Sequence, residues 1–265
     1  MTTVGLAGRN PEAAWEACRT GAWDSPTAGI CEEYVQANLV VLPWAEAFDF
    51  LRFCGRNPKP CPLIEVTDPG DPEPRLTAAG ADLRTDLPRY RVYRGGELAE
   101  ERQDVRDLWR EDSVAFLIGC SFSFEHALLS AGVPLRHIEE GTNVPMYRTN
   151  VACTPAGEFS GPLVVSMRPI PAELVPLATT VTARVPQVHG APVHIGAPEA
   201  LGIGDLEDPD YGEPLEVREG ELPVFWACGV TPQAVAVEAA PEVMITHSPG
   251  HMFVTRMTHE ELLTR

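Results

Sequence analysis

Lysine is almost absent from this chain of 265 residues: Lys59 is the one lysine, and arginine supplies the other basic residues. Pyridoxal phosphate enzymes hold their cofactor on a lysine, and phosphate-binding loops need Gly-Lys-Ser/Thr, so neither chemistry is favoured. Positive charge is scarce as well, because 38 acidic residues give a formal net charge of −18 at pH 7. This charge predicts no binding to nucleic acid or to a membrane surface. The expected partners are a small carboxylic or amino acid and a second copy of the chain in a homodimer.

No cysteine pair has the Cys-x-x-Cys spacing of a zinc ribbon or a redox motif, and the number of cysteines is odd. The seven are scattered along the chain, at Cys18, Cys31, Cys54, Cys61, Cys120, Cys153 and Cys228. The N-terminus lacks the basic and then apolar pattern of a signal peptide, and no apolar run approaches the ~18 residues that a membrane span needs. These absences predict a cytoplasmic protein with reduced thiols.

The hydrophobic fraction of 44% is enough for a sizeable core, and the order of the segments predicts its architecture. From residue 114 onwards apolar strands are followed by short helices, as in VAFLIG with SFEHALLSAG and PVFWAC with PQAVAVEAA. Such alternation is typical of an α/β fold, here a mixed sheet flanked by helices. We expect a main α/β domain from residues 1–153 and 223–265, with a second, smaller α/β domain, residues 154–222, inserted into it.

Three shorter segments have local signals. Asn10 and Pro11 predict the cap and the first turn of a helix that ends at Gly21. The segment ICEEYVQANLVVLPWAEAFDFLRFCGRNP is predicted to hold further helical and apolar segments, closed by glycine and proline. In YRVYRGGELAE, alternating residues on either side of Gly95-Gly96 predict a β-hairpin.

Two strand–turn–helix junctions resemble each other, FLIGCSFSFEHALL and VFWACGVTPQAVAV. In each, an apolar strand ends at a cysteine, Cys120 or Cys228, and three residues later Ser123 or Thr231 stands at the predicted N-cap. Backbone N–H groups at a helix N-terminus stabilise a thiolate and bind a carboxylate or an oxyanion. Because open α/β sheets bind ligands at the carboxyl ends of their strands, both turns are expected to line one cleft. The alternative is that the cysteines are core residues and the hydroxyl residues ordinary caps.

Charged and titratable residues are concentrated in the loops. The segment RHIEEGTNVPMYRTN is typical of a binding loop, and its Arg148 and Asn150, with Arg168 in VVSMRPIP, are candidates for holding an acidic substrate. Structural ion pairs are the alternative use of these arginines. His194 and His251 lie in VHGAPVHIG and MITHSPGHMFV, where proline and glycine interrupt a helical metal site. We expect acid–base roles for them, with a divalent metal kept as an alternative; no cofactor is identified and no metal ligand is assigned.

Longer motifs follow one another along the chain: YVQANLVVLP, FCGRNPKPCPLIEV, FLIGCSFSFEHALLSAGVPLRHIEEGTNVPMYRTN, GPLVVSMRPIPAE, VHGAPVHIG, PVFWACGVTPQAV and ITHSPGHMFVT. In these motifs the chain resembles the bacterial hydro-lyase family that also forms part of mitochondrial D-glutamate cyclase. The resemblance implies a two-domain α/β fold and a carbon–oxygen lyase of amino-acid metabolism. The reaction it implies interconverts D-glutamate with 5-oxo-D-proline and water.

Closing D-glutamate to its lactam needs a base, an acid and donors for the oxyanion of a tetrahedral intermediate. We assign the donors to residues 121–123 and the α-carboxylate to Arg148. Acid–base catalysis is assigned to Glu140 with either His194 or His251, and Cys120 is an alternative nucleophile that would form a thioester. The complete predicted site consists of catalytic Cys120, Glu140, His194 and His251 and substrate-binding Ser121, Ser123, Arg148, Asn150, Arg168 and Cys228.

Two other functions are compatible with the sequence. Cys120 and Cys228 would serve as paired acid and base on opposite faces of an α-carbon, as in cysteine-dependent amino-acid racemases. Alternatively, the protein binds an acidic metabolite without turnover, because a fold does not imply a function. Deuterium incorporation at the α-carbon distinguishes the first, and saturable binding without conversion distinguishes the second.

Overall fold

A computed structural model describes residues 10–262 of the chain. The helices are α1 Pro11–Arg19, α2 Trp44–Arg56, α3 Ser121–Ser130, α4 Arg136–Glu140, α5 Val175–Ala183, α6 Val230–Glu238 and α7 His259–Leu262. The strands are β1 Tyr34–Pro43, β2 Leu63–Val66, β3 Tyr90–Arg94, β4 Glu97–Arg102, β5 Ser113–Gly119, β6 Met146–Ala152, β7 Pro162–Pro171, β8 His194–Ile195, β9 Glu221–Ala227, β10 Met244–His247 and β11 Phe253–Thr258.

The strands form two sheets. The larger has the order β2-β5-β1-β10-β3-β4, with β11 also paired to β1, and the smaller has the order β6-β7-β9-β8. All pairings between these strands are antiparallel. With helices packed against both sheets, the predicted α/β fold is confirmed. The rule for the carboxyl ends of parallel strands, however, does not apply to the two cysteine turns.

The centre of the larger sheet is β1, whose residues 35–42 are all buried. One edge pairs with β5, from Ala37 opposite Gly119 to Pro43 opposite Ser113. The sequence predicts helical and apolar segments across residues 30–58 without identifying a strand, and the structure shows that residues 34–43 of this segment form β1. Residues 39–42 of this strand are a continuous apolar run without alternation, and such a run does not distinguish a buried strand from a buried helix.

The other edge of β1 is shared by two strands. Ile245 in β10 pairs with Val41, and Phe253 in β11 pairs with Ala37, so both strands run along the same edge. Residues 248–252 between them leave the sheet as a loop. Thr27 holds this loop, since its N–H donates to the Gly250 carbonyl at 2.8 Å and its hydroxyl accepts from the N–H of Met252 at 2.9 Å.

The short local signals of the sequence are confirmed at two positions. Asn10 caps α1, and its Oδ1 accepts from the N–H of Ala13 at 3.1 Å. The hairpin of β3 and β4 turns at Gly95 and Gly96, both of which have positive φ. The domain boundaries at residues 154 and 222 stay a prediction. The smaller sheet draws on β6, which lies before the first boundary, and on β9, which crosses the second.

Two helices connect the sheets at the cysteine junctions. Helix α3 follows β5 of the larger sheet and packs against β1 and against α5, while α6 follows β9 of the smaller sheet and packs against β7 and β10. Phe124 and Leu128 of α3 share a buried cluster with Trp226 of β9 and Val35 of β1. The two junctions therefore meet where the sheets are joined.

The predicted N-caps at Ser123 and Thr231 are wrong. Helix α3 is capped by Cys120 and α6 by Gly229, so each helix begins before the hydroxyl residue. At each junction only one or two residues separate the strand from the helix, which leaves no room for an N-cap further along the chain. Thr231 instead accepts from the N–H of Val164 at 3.0 Å and donates to its carbonyl at 3.1 Å, which ties α6 to β7.

Candidate active site

A cavity of about 890 Å³ lies beside the first turns of α3. Its other walls come from residues 26–36, from residues 137–143 after the start of α4, and from the loop that interrupts the sheet edge. Glu213 closes a further side. The loop of Glu213 approaches so closely that a Cβ on Gly212 would lie 2.1 Å from the carbonyl oxygen of Val144. The volume is typical of small-molecule sites.

Buried polar atoms in the cavity walls lack partners. Within the described part of the chain, Gln36 Oε1, Ser123 Oγ, His137 Nδ1 and Thr142 Oγ1 make no hydrogen bond, and all four residues line the cavity. An unpaired buried polar atom costs about 1–3 kcal/mol, so such atoms are rare unless a ligand or water pairs with them. The cavity is therefore a candidate site for a polar ligand.

A buried charge network stands behind one wall. The guanidinium of Arg168 is fully buried beside the stacked rings of Phe124 and Trp226, 4.8 Å and 5.6 Å from their centroids. It donates to Glu125 Oε1 through Nη2 and, at 3.2 Å, through Nε. The same carboxylate oxygen lies 3.1 Å from Nε2 of His137. Burial alone would raise the pKa of Glu125, but Arg168 and His137 together lower this pKa to about 2.

The ionised Glu125 fixes the tautomer of His137. A carboxylate only accepts hydrogen bonds, so the His137 nitrogen that faces it, Nε2, carries the proton. In the neutral imidazole Nδ1 is then a bare acceptor, and Nδ1 is the atom without a partner in the cavity wall. Glu125 and His137 thus form a carboxylate–imidazole dyad with a free basic nitrogen.

The thiols of Cys120 and Cys228 are buried beside this network. Glu125 and Arg168 act electrostatically on both, and a backbone N–H of the helix that follows donates to each. Burial nevertheless raises the pKa of Cys120 to about 12 and that of Cys228 to about 11. The prediction that these turns stabilise a thiolate is therefore wrong. The cost of removing the thiolate from water outweighs the hydrogen bond from the backbone N–H.

Asn38 of β1 holds the two cysteine turns against each other. Its side-chain amide donates to the carbonyl oxygens of Ile118 and Gly119, at 3.3 Å and 2.9 Å. On the other turn, a Cβ on Gly229 would lie 2.4 Å from Asn38 Nδ2, so only glycine fits there without a shift. The turns meet as expected, but the larger cavity is lined by α3 and not by α6.

Residues 114–256 match the family model of D-glutamate cyclase. The chain belongs to the D-glutamate cyclase family. It is 64% identical to a protein of Stutzerimonas stutzeri named "Putative hydro-lyase", over 96% of each chain. A protein of Geobacillus kaustophilus with the same kind of name is 62% identical over 92% of this chain and 93% of that one. A nitrogen repressor-like protein of Methanococcus jannaschii, a solved structure, is 10% identical over 95% of this chain and 99% of that one, with a TM-score of 0.39.

These matches support a hydro-lyase. The residues that match the D-glutamate cyclase family model include both cysteine junctions. They also include the network of Glu125, His137 and Arg168. Gln36 and Asn38, which come from β1, lie before them. The matched segment therefore contains the Glu125–His137 dyad, and the rest of the chain supplies part of the cavity walls.

Five of the predicted site residues are brought to this region. Ser123 lines the cavity, and Ser121 is buried in the first turn of the same helix. Cys120, Cys228 and Arg168 surround the buried carboxylate of α3. Arg168 is fully buried and paired with that carboxylate, so it does not reach the cavity as a substrate ligand. Its position assigns it to the support of the dyad.

The remaining predicted residues do not line the cavity. Glu140 is paired at 3.8 Å with Arg218 on the surface. Arg148 is exposed and paired with Glu238. This is the structural ion pair that the sequence analysis gave as the alternative to substrate binding.

Asn150 and the two predicted histidines also lie elsewhere. Asn150 is exposed on β6 beside Gly202. His194 Nε2 donates to the carbonyl of Ala197 at 3.0 Å, and His251 Nδ1 donates to that of Pro249 at 2.8 Å. Each of these rings is bonded within its own loop, so none of them joins the dyad.

Glu125 and His137 were missed as site residues, although the sequence contains a signal for them. Glu125 is the one acidic residue of the helix segment SFSFEHALLS, and Arg168 is the one charged residue of the strand segment PLVVSMRPIP. A charge inside an apolar element is buried only when it is paired, so two such residues of opposite sign predict each other. Among residues 10–262 no three His, Cys, Asp or Glu side chains are grouped as a metal site needs. No helix of that part of the chain is long and apolar enough to cross a membrane.

Proposed function

We propose that this protein interconverts D-glutamate with 5-oxo-D-proline and water in the cavity beside α3, with His137 as the acid–base residue. The observation that carries the proposal is the unpartnered Nδ1 of His137, set in the cavity wall by the ionised Glu125 behind it. The family and its relatives supply the reaction class. The cytoplasmic location, the homodimer and a divalent metal stay predictions.

The proton balance of the reaction suits one residue that both accepts and donates. Cyclisation removes two protons from the α-ammonium group, forms the bond from nitrogen to the carbon of the γ-carboxyl group and expels one oxygen of that group as water. His137 Nδ1 takes a proton from the ammonium, which makes the amine a nucleophile, and returns it to the departing oxygen. The second proton follows the same route when the intermediate collapses. The ring stays oriented throughout because Nε2 remains bonded to Glu125.

Charge on the tetrahedral intermediate needs a donor near the γ-carboxyl group. The hydroxyl of Ser123 is buried, lines the cavity and has no partner, so it is available to donate to the oxyanion. Arg168 does not contact the substrate and acts through Glu125. It keeps Glu125 ionised, and through Glu125 it keeps the proton of His137 on Nε2. We therefore assign Arg168 and Glu125 as positioning residues.

A proton NMR time course with D-glutamate and, separately, 5-oxo-D-proline tests the proposal, with and without added divalent cation. The unmodified protein is expected to convert either compound to the same mixture. His137→Gln removes the acid–base nitrogen and is expected to lower kcat by about 10²–10⁴-fold. Glu125→Gln, which allows the other tautomer, is expected to lower kcat and to change its pH profile.

The matched control is His247→Gln. His247 is the buried histidine next to α6, and its Nδ1 already accepts from Gln233 at 2.8 Å and from the N–H of Leu39 at 3.1 Å. Its replacement is expected to leave kcat within about threefold. No conversion by the unmodified protein, from either direction and at high concentration, would contradict the proposed reaction.

A second candidate is favoured by the two thiols that flank the same buried network. In a racemase-like enzyme Cys120 and Cys228 would exchange the α-proton of an amino acid. The same NMR samples in heavy water measure this, since α-proton exchange without ring closure would replace the cyclase proposal. Retention of the α-proton during turnover would exclude it.

A further inference from the structure

A smaller cavity of about 420 Å³ adjoins the active-site cavity. The two share Ser123, His126, Ser130 and His259 in their walls. Ser123, the proposed oxyanion donor, therefore stands at the junction. When the reacting carbon of a ligand lies near Ser123, the rest of the ligand occupies the larger or the smaller cavity.

The described residues that line the two cavities differ in charge, because only the smaller cavity has an arginine in its wall. In the larger cavity the charged side chains are Glu32, Glu125 and Glu213, and no arginine or lysine lines it. In the smaller cavity Arg184 stands with Glu260. Arg184 is exposed and has no carboxylate partner among residues 10–262. A substrate carboxylate is repelled by the first set of charges and attracted by the guanidinium of the second.

A pair of imidazoles separates the cavities. The rings of His126 and His259 are stacked with centroids 4.7 Å apart and an angle of 12° between their planes. Nε2 of His259 donates to the carbonyl of Glu32 at 3.2 Å, which leaves Nδ1 as the bare acceptor of the neutral ring. This Nδ1 is buried and has no partner in the described chain. Protonation of Nδ1 would turn it into a donor for an anion.

We propose that Arg184, His126 and His259 form the anchor for the α-carboxylate of the substrate. The proposal rests on the proposed function, since it takes the same ligand that His137 deprotonates. The γ-carboxyl group then lies at Ser123 and His137, and the α-carboxylate points into the smaller cavity. This anchor replaces Arg148, which is paired with Glu238 away from both cavities.

The anchor couples binding to proton uptake. In the free protein, burial and the neighbouring His126 lower the pKa of His259 to about 4, so the His259 ring is neutral at pH 7. A bound carboxylate favours the charged imidazole, and its negative charge offsets the repulsion between two close rings. The other groups that face the pair are Glu32, Glu213 and Glu260, Glu125 with His137, and Arg184. The charge of Glu125 is already balanced by the guanidinium of Arg168, so it contributes little at the pair.

Titration calorimetry with 5-oxo-D-proline, which carries a single carboxylate, tests the anchor. Arg184→Gln is expected to raise Kd about tenfold, as for the loss of a charged hydrogen bond. At pH 7, buffers of different ionisation enthalpy are expected to reveal proton uptake on binding. This uptake should disappear in His259→Gln, whose amide retains the bond to Glu32 without titrating.

The control is Arg94→Gln, another exposed arginine that lines neither cavity and lies at the end of β3. It is expected to leave Kd and proton uptake unchanged. Unchanged Kd in Arg184→Gln and unchanged uptake in His259→Gln would overturn the anchor while the cyclase reaction stands. If the unmodified protein shows no turnover, the same titrations with glutarate decide the anchor alone. Weaker glutarate binding in Arg184→Gln supports it, and equal or absent binding overturns it.

Discussion

The two cysteine junctions start from the same sequence pattern and end in different local structures. Five residues after its cysteine, the first has Glu125, and the second has Gln233. Each of these side chains contacts a histidine, His137 or His247. At the first junction the basic Nδ1 of the histidine has no partner, whereas at the second it accepts two hydrogen bonds.

The hydroxyl residues of the junctions differ in the same sense. Ser123 has no partner for its hydroxyl and faces a cavity, while Thr231 is bonded on both sides to the backbone of Val164. The hydroxyl of the first junction has no partner in the described chain, and that of the second is satisfied by the protein itself. A repeated pattern in sequence therefore locates both turns but does not assign them the same role.

The largest expected difference between the junctions is in stability. Glu125→Ala leaves the guanidinium of Arg168 buried without its counter-ion, which we expect to lower the free energy of unfolding by about 3–5 kcal/mol. Gln233→Ala removes a neutral hydrogen bond and is expected to cost about 1 kcal/mol. Urea unfolding followed by circular dichroism measures both. Equal losses would show that the buried charges do not distinguish the junctions.

Acid separates the junctions by the pH at which each loses stability. Burial lowers the pKa of His247 to about 4, below the ordinary 6.5, so the unfolded chain binds the extra proton first. Stability contributed by neutral His247 is complete above pH 6.5 and falls as the pH drops towards 4, by about 3 kcal/mol. The carboxylate of Glu125, with its pKa lowered to about 2, loses its contribution only below pH 4.5.

Unfolding free energies at pH 7, 5 and 4 measure the histidine contribution. His247→Gln is expected to reduce the loss between pH 7 and 4 without abolishing it. Burial also lowers the pKa values of His189 and His259 to about 4, so these residues titrate in the same window. A loss as steep as that of the unmodified protein would contradict the assignment to His247.

The smallest expected change in stability comes from the two hydroxyl groups. Ser123→Ala removes a hydroxyl without a protein partner, so stability is expected to stay within about 0.5 kcal/mol while kcat falls at least tenfold. Thr231→Val removes two hydrogen bonds to β7 and is expected to cost about 1–2 kcal/mol with little change in kcat. Urea unfolding and turnover, measured on both variants, check that one loses activity and the other loses stability. The same pattern in both variants would remove the functional difference between the junctions.

Much of the fold follows from local sequence signals. The cap at Asn10, the hairpin at Gly95-Gly96 and the strand–helix order after residue 114 all agree with the structure. The strand β1 was missed because residues 39–42 are a continuous apolar run without the alternation that marks a strand. The N-caps were misplaced because the turns contain fewer residues than the pattern suggested.

The candidate site was predicted less completely, for a physical reason. Cys120, Ser123 and Arg168 were identified by residue type and position, and all three lie at or beside the cavity. The role of Arg168 depends on Glu125, which is 43 residues away in the chain, and that of His137 depends on the same carboxylate. Contacts between distant elements set tautomers and pKa values, and no local pattern records them.

The interrupted edge of the larger sheet has a consequence for how this site can diverge. The ends of the loop at residues 248–252 are held in register by β10 and β11 along β1, and Pro249 and Gly250 line the cavity. Residues exchanged between these fixed ends reshape one wall of the cavity while every strand keeps its neighbours. A directed library in this loop can therefore vary ligand preference, as long as the backbone bonds of residues 250 and 252 to Thr27 are kept.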